Sequence, residues 1–533
     1  MKITSVILLS LLFNIAFSQP PTVGLIYNSG LAADGYTLFA PESNEEVFLI
    51  DNCGEVVNQW TCNDLPGITS YLLEDGKLLY AGKDNLEIRD WNNNLIWEYQ
   101  TTSNGISQHH DIEPLPNGNI LMIVTDFRSS VELIEAGRNP NTISNNFKMD
   151  KILELEPVGT NGANIVWEWY FWDHLIQDFD STKANFGVIA DNPELLNLNY
   201  LTISNSDWTH INGLDYNAEL DQIILSSRTI SEIYIIDHST STAEAASDTG
   251  GNAQNGGDFL WRWGNPVVYQ HGTTIDQQLF GQHDSKWVEN GYLHDGKISV
   301  FNNSLDGSTA NSAVHLIKPV MTGTYNYQMT GNLFEPISFS YTWSGDVMGI
   351  PMYTNKKGGA NSLPNGGFMI CETINGRFIE INEAGTVVWV YNNPSSNLTY
   401  TQYDVILPNT NQVFRAKKLP PNYPGILGNN LTSTGIIEDV NPLSESCVLS
   451  FGIDENSMNS SVILNPIVDG EIVLTDPTAD LKNLFLFDLS GKFIQNWTDD
   501  ASTKYLLANI EKGMYIFRFE TNGQQFQQRV LIQ

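Results

Sequence analysis

The stretch LPNGNILMIV, Leu115 to Val124, sets an Asn-Gly pair in front of an unbroken apolar run, and its recurrence decides the fold. Both central residues of a type I′ hairpin turn need positive φ, so Asn-Gly or Asp-Gly between apolar runs predicts a tight β-hairpin. The pattern returns as LEDGKLLYAG from Leu73, HDGKISVFNN from His294, LPNGGFMICET from Leu363 and LPNTNQVFRAK from Leu407. A second pattern, strand, turn and tryptophan, alternates with it. It gives LIDNCGEVVNQW ending at Trp60, EIRDWNNNLIW at Trp97, ILELEPVGTNGANIVW at Trp167, DFLW at Trp261 and IEINEAGTVVW at Trp389.

Each pair of patterns supplies roughly four strands, and four-stranded units repeated with little helical periodicity between them predict a β-propeller rather than a sandwich. Six units are expected, near residues 36–66, 69–100, 109–175, 208–265, 283–345 and 363–395, with 400–417 closing the ring. After about residue 440 the character changes. A polar linker (441–460) without the repeat precedes short alternating strands over 461–533. The expectation is an all-β chain: a six-bladed propeller over 19–440 followed by a small C-terminal β-sandwich.

Composition bounds the partners. The 533 residues carry 61 acidic against 26 basic side chains, a net charge of −35. Phosphate contacts need clustered Lys and Arg, so nucleic acid and anionic membrane are excluded as expected partners. The start, MKITSVILLSLLFNIAFS, has a charged Lys2, an apolar run and a small-residue end at Ser18, and reads as a secretory leader over 1–18. No other run is long and apolar enough for a membrane span. Export permits disulfides, and Cys53 and Cys62 are spaced for a bridge across a hairpin, with Cys371 and Cys447 as further partners.

In an acidic chain, basic and imidazole groups at matched positions stand out. His110 precedes Asn117 by seven residues, His210 precedes Asn217 by seven, and His283 precedes Asn290 by seven. If these asparagines mark the turn after each innermost strand, all three histidines sit at one mouth of the channel and face one another. The same count back from Asn409 reaches Gln402 or Tyr403. The returning strands bring Arg228 and Thr373 to that mouth, and Asn212 can donate a further hydrogen bond. A guanidinium beside imidazoles suits an anion with several oxygens. Three imidazoles could instead hold zinc with an open position, although the fixed charge of Arg228 opposes a divalent cation. His109 would point the opposite way from His110 on a regular strand and reads as structural. His174, His238, His271, His294 and His315 fall outside the register and read as surface or satisfied core residues.

HDIEPLPNGN from His110, WTHINGLDYN from Trp208, Arg228, and GQHDSKW from Gly281 together resemble the bacterial arylsulfate sulfotransferases, six-bladed propellers, over most of residues 30 to 420. The resemblance implies transfer of a sulfuryl group from an aryl sulfate donor to a phenolic acceptor, with no nucleotide cofactor. It implies His283 as a transiently sulfated nucleophile, with His110, His210, Asn212 and Arg228 around the sulfuryl oxygens. Spacing alone does not single out His283 among the three histidines. Thr373 and Tyr403 enter as lining residues by the register count only. Better-known members carry an N-terminal β-domain linked with assembly, whereas about a dozen residues separate Gln19 from the first repeat here.

The tail resembles the C-terminal sorting domain of the type IX secretion system, in Asn465-Pro466, the turn Asp488 to Lys492, Gly513-Met514-Tyr515 and Arg529. This implies the type IX machinery as a partner and a secreted or cell-surface location. Two other readings stay open: a non-catalytic propeller that binds ligands at the cell surface, and a metal-dependent propeller hydrolase or lyase.

Overall fold

The computed structural model describes residues 21–143, 147–201 and 207–438, and beyond these 471–473, 481–488, 493–497, 504–506, 510, 512–521 and 524–532. Six antiparallel sheets form the blades of a propeller, as the repeats predict. Blade 2 is Pro66–Leu72, Leu78–Gly82, Asn85–Arg89 and Leu95–Gln100. Blade 3 is Gln108–Pro114, Ile120–Arg128, Phe147–Val158 and Gly162–Tyr170. Blade 4 is Ile211–Asn217, Gln222–Ser227, Glu232–Asp237 and Trp261–Trp263. Blade 5 is His283–Trp287, Ile298–Asn302, Ala313–Ile317 and Tyr341–Trp343.

Blades 1 and 6 close the ring with strands borrowed from far along the chain. Tyr36–Pro41, Glu46–Ile50 and Val56–Thr61 take Val413–Leu419 as the innermost strand of blade 1. Gly359–Ser362, Phe368–Glu372, Arg377–Ile381 and Val387–Asn392 take Gly24–Asn28 as an extra outer strand on blade 6. The 400–417 stretch thus closes the ring, but LPNT is not the hairpin turn it resembles. Thr410 turns back on Leu407, and the strand begins only at Val413.

Blades stack face to face, so their middle strands are buried on both sides, and this is why the sequence shows unbroken apolar runs instead of alternation. Leu78–Gly82 and Ile298–Asn302 are buried throughout. The recurring tryptophan ties the blades into a ring, because from the fourth strand of every blade an indole N–H donates to the next blade. Trp60 reaches Asp90 O, Trp97 Gly162 O, Trp167 Thr240 Oγ1, Trp261 Glu335 O and Trp389 Asn52 O, at 2.8–3.2 Å. Trp343, which the sequence pattern did not pick out, completes the circle by donating to Gly385 O at 2.9 Å.

The channel is plugged beneath one mouth. Lys286 Nζ, from blade 5, lies 2.9 Å from Glu113 Oε2, 3.1 Å from Tyr71 Oη and 3.4 Å from Asp215 Oδ1, joining the innermost strands of blades 2 to 5. Burial would lower the lysine, but Glu113, Tyr71 and Asp215 hold it well above its ordinary value. Burial pushes Asp215 up to about 8.

The expected Cys53–Cys62 bridge is not made. Cys62 sits in the fourth-strand core of blade 1 as a free buried thiol, Cys371 is free as well, and Cys53 is disulfide-bonded elsewhere. Cys447 lies outside the described residues, as do the leader 1–18 and the linker 441–460. In the C-terminal region, Phe493–Trp497, Leu481–Asp488, Gly513–Thr521 and Gln524–Ile532 pair antiparallel in that order, and Glu471–Val473 pairs with Lys504–Leu506. No helix among the described residues is long and apolar enough to cross a membrane.

Candidate active site

The innermost strands of blades 2 to 5 share an irregularity at one mouth. In each, two or more residues bulge out opposite fewer on the neighbouring strand, between Pro66 and Ser70, Gln108 and Ile112, Ile211 and Gly213, and His283 and Lys286. Bulges re-aim side chains, and backbone in the left-handed region marks where the chain accepts strain to do so. His110 has φ 56°, His210 φ 45° and Asp284 φ 54°.

This bulge corrects two expectations. His109 does not point away: with the pleat broken at His110, both rings turn to one side, 4.1 Å apart. Nor do the three histidines share one register. Measured from the Lys286 plug, His110 and His283 each lie three residues before Glu113 and Lys286, whereas His210 lies five before Asp215. The equal spacing to asparagine arose because the hairpin loops differ in length: Asn217 pairs directly with Gln222, whereas Val288 closes on Lys297 across a long loop.

The side chains nevertheless converge. His110 Nε2 lies 3.0 Å from His210 Nε2, and His210 Nδ1 lies 2.8 Å from Asp207 Oδ2. His109 Nδ1 lies 2.7 Å from Asp150 Oδ1, and its ring is 5.2 Å from that of His210. Two bare lone pairs 3.0 Å apart would repel, so His110 and His210 share a proton. Burial, then the charges of His109, His210, His283 and Arg415, hold His110 well below the usual imidazole range. Burial lowers His109 too, but Asp150 and Asp207 outweigh it and raise the ring. One ligand atom each from His109, His110 and His210 lies within 4.8 Å of the others; the compact imidazole group is therefore this one, without His283.

His283 is held separately and in one tautomer. Its Nδ1 faces two acceptors, Asn303 Oδ1 at 2.6 Å and Gly281 O at 3.1 Å, so Nδ1 carries the proton. Asn303 cannot be flipped, because its Nδ2 donates to Thr354 O and Lys357 O. Nε2 is left with its lone pair, which accepts from the Lys357 backbone N–H at 3.1 Å. Burial, Arg415, Arg228 and His210 keep this ring well below its ordinary value, against the opposing bond to Asn303.

Two guanidinium groups frame His283. Arg228 follows strand Gln222–Ser227, its amide donates to His210 O, and among the described residues no carboxylate lies within ion-pair distance of it. Arg415 was missed by the sequence reading. It pairs with Asp284 Oδ1 at 3.0 Å, donates to Gly358 O at 2.5 Å and Asn212 O at 3.1 Å, and lies over Phe414, whose ring stacks on His110. The turn count hid it by placing the strand of blade 1 too early. A Cβ at Gly359 would meet Asp284 Oδ2 at 2.2 Å and Arg415 Cδ at 2.8 Å, so glycine there lets the innermost strand of blade 6 pass close to this ion pair.

The remaining expected residues sit differently. Asn212 is fully buried and donates to Gln282 O at 2.7 Å, tying blade 4 to blade 5. Thr373 is fully buried at the end of strand Phe368–Glu372, its hydroxyl beside the Cys371 thiol. Gln402 clamps the backbone of Thr22 and Val23. Tyr403 is 36% exposed, and among the described residues no hydrogen bond or ring contact joins it to the histidines. Of the other histidines, His174 bonds Asp258 and Ala245 O in the core, His315 is buried against Phe339, and His238 is ion-paired, as satisfied core residues should be.

Fold and site together define a six-bladed propeller with an imidazole and guanidinium cluster over a plugged channel. The family model described as arylsulfotransferase (ASST) matches residues 28–372, and the chain belongs to that family. The match stops within blade 6, so Thr373, Tyr403 and Arg415 lie beyond it. No curated protein matches the chain. Among solved structures it is similar to a Bacteroides caccae protein of unknown function (12% identity, 73% of this chain and 99% of that one, TM-score 0.38). It is also similar to a streptogramin B lyase (10%, 75% and 97%, 0.32) and to a putative 6-phosphogluconolactonase from Bacteroides fragilis (10%, 73% and 98%, 0.35). At these scores the likenesses carry no argument about function.

Proposed function

We propose that the protein transfers a sulfuryl group from an aryl sulfate ester to a phenol through a sulfated His283. The observation that carries this is the fixed tautomer of His283: Nδ1 is spent on Asn303 and Gly281, Nε2 keeps its lone pair toward the Lys357 amide, and the positive charge of Arg228, a guanidinium with no carboxylate partner among the described residues, bears on the ring. A lone pair beside an uncommitted cation suits attack on an electrophile that carries negative oxygens.

In the first step the Nε2 pair forms an N–S bond while the S–O(aryl) bond breaks and its electrons leave on the phenolate. The proton shared by His110 and His210 goes to that oxygen, with Asp207 stabilising the charge on His210. The Lys357 amide, released from Nε2 as the N–S bond forms, is placed to donate to a sulfuryl oxygen together with Arg228. In the second step the acceptor phenol gives its proton back to the histidine pair, its oxygen attacks sulfur, and the N–S electrons return to Nε2. We propose export by the leader and the type IX machinery, and a secreted or cell-surface site of action, on the strength of residues 1–18 and 461–533.

The test is incubation with a chromogenic aryl sulfate, with and without a phenol. Acceptor-dependent phenolate release, lost in His283→Asn, with a sulfated peptide containing His283 trapped by mass spectrometry when acceptor is withheld, is the expected result. Equal and negligible release by both proteins would leave a binding propeller as the better reading.

A further inference from the structure

We infer that His109, His110 and His210 form a divalent transition-metal site, and that zinc bound there switches the transferase off. One ligand atom from each lies within 4.8 Å of the other two. In a tetrahedral zinc site with bonds of about 2.0–2.1 Å, neighbouring nitrogens are separated by about 3.3 Å. The His110 and His210 Nε2 atoms already stand at 3.0 Å, and only the His109 ring has to swing inward.

The outer groups are those a metal site needs. His109 and His210 each present Nδ1 to a carboxylate, Asp150 at 2.7 Å and Asp207 at 2.8 Å, so each keeps its lone pair on Nε2, that of His210 engaged by the proton it shares with His110 until an ion displaces it. Carboxylate-backed histidine is the arrangement that orients metal-ligating imidazoles and raises their basicity. Asp150 is itself anchored by Thr209 Oγ1 and the Ile211 amide, so this orienting group is rigid. The two carboxylates supply the negative charge that a divalent cation requires. The guanidinium whose charge bears on His110, Arg415, is itself paired with Asp284 at 3.0 Å.

His109 explains why the site is distinct from the transfer chemistry. The proposed reaction uses His110 and His210 to move a proton and leaves His109 unused, yet the backbone bulge at His110 brings His109 alongside. Coordination takes one lone pair from each ring, so the proton shared by His110 and His210 leaves to solvent, and both are then unable to serve the leaving phenolate. Imidazole nitrogen favours zinc, copper or nickel over magnesium. The inhibition, though not the binding, rests on the proposed sulfuryl transfer.

The experiment titrates chelator-treated full-length protein with zinc chloride by calorimetry, with cobalt chloride as an optical probe, and follows aryl sulfate turnover in parallel. One equivalent of zinc should bind, cobalt should give the visible absorption of a near-tetrahedral site, magnesium should do neither, and turnover should fall as the site fills and return with chelator. His109→Gln should weaken zinc at least tenfold while keeping turnover, now insensitive to zinc. Asp150→Asn should weaken zinc by about 10–100-fold, with folding of both variants checked by thermal melts. Absence of stoichiometric binding, or binding unchanged in both variants, overturns the site. Binding that leaves turnover unaffected or raises it overturns the switch. If no turnover is seen at all, it is the transfer reading that fails, and calorimetry and cobalt absorption still decide the site.

Discussion

Asn303 Oδ1 sits 2.6 Å from His283 Nδ1, and two carbonyls on the far side of Asn303 fix which way its amide faces. Losing one such bond costs about 1 kcal/mol, or about fivefold in rate, and a wrong tautomer would add to that. Asn303→Leu should therefore lower kcat at least several-fold with a smaller change in KM. Asn303→Asp should act differently: a carboxylate favours the imidazolium, so activity should be lost at neutral pH and partly regained under alkaline conditions. Steady-state kinetics of aryl sulfate cleavage across pH separates the two.

The depressed basicity of His283 sets a pH profile. A ring held neutral by burial and by Arg415 and Arg228 keeps its lone pair under mildly acidic conditions. The acid limb of kcat/KM should accordingly fall below the ordinary imidazole value of about 6.5. Removing a neighbouring positive charge raises the imidazole, so Arg228→Gln should move that limb upward. It should also lower kcat/KM by about 10²–10³-fold if the guanidinium stabilises developing oxyanion charge. An unmoved limb in the variant would detach Arg228 from His283.

Much of the fold was legible because blade stacking buries strands on both faces and forces apolar runs between obligatory turns. Five of the six belt tryptophans showed in the strand-turn-Trp repeat, while Trp343 was hidden because strand Tyr341–Trp343 follows a long insertion instead of a turn. At the site the histidines were found by a count that happened to agree, although the loops it spans are unequal. What the count could not contain was the bulge. One residue with left-handed backbone at His110 reverses the side of His109, and no pattern of period two encodes that reversal. Arg415 and Asn303 stayed invisible because their roles depend on the closing strand and on the end of a returning strand, which no local motif marks.

His238 links blades 3 and 4 by bridging Glu154 Oε2 at 3.0 Å and Asp221 Oδ1 at 2.7 Å. Burial would lower it, but the bonds and charges of Asp221 and Glu154 raise it to about 9. A folded-state value above the unfolded one means stability that is complete below about pH 6.5 and lost as pH rises through about 9. The shift corresponds to about 3–4 kcal/mol at about 1.4 kcal/mol per pH unit. Thermal melts should show the wild type falling over this window, and His238→Gln should be less stable at about pH 6 yet nearly flat across it.

The tryptophan belt predicts where the ring is weakest. Trp389 donates to Asn52 O across the joint between blades 6 and 1, where the ring closes on strands borrowed from the two ends of the propeller. At the joint between blades 2 and 3 each blade is built from consecutive strands of its own, so losing one indole bond frees no borrowed strand. At the closing joint the link is carried by strands Gly24–Asn28 and Val413–Leu419, by Lys418 bridging Asn52 and Glu380, and by Trp389. Trp389→Phe keeps most of the apolar area but strands a buried carbonyl, at about 1–3 kcal/mol. Trp97→Phe removes the equivalent bond to Gly162 O between blades 2 and 3. Both should lower the denaturation midpoint, but only Trp389→Phe should speed proteolytic cutting within residues 21–35 under native conditions, because opening the closing joint frees the outer strand of blade 6. Equal cutting in the two variants would mean that the borrowed strands hold the ring without the indole.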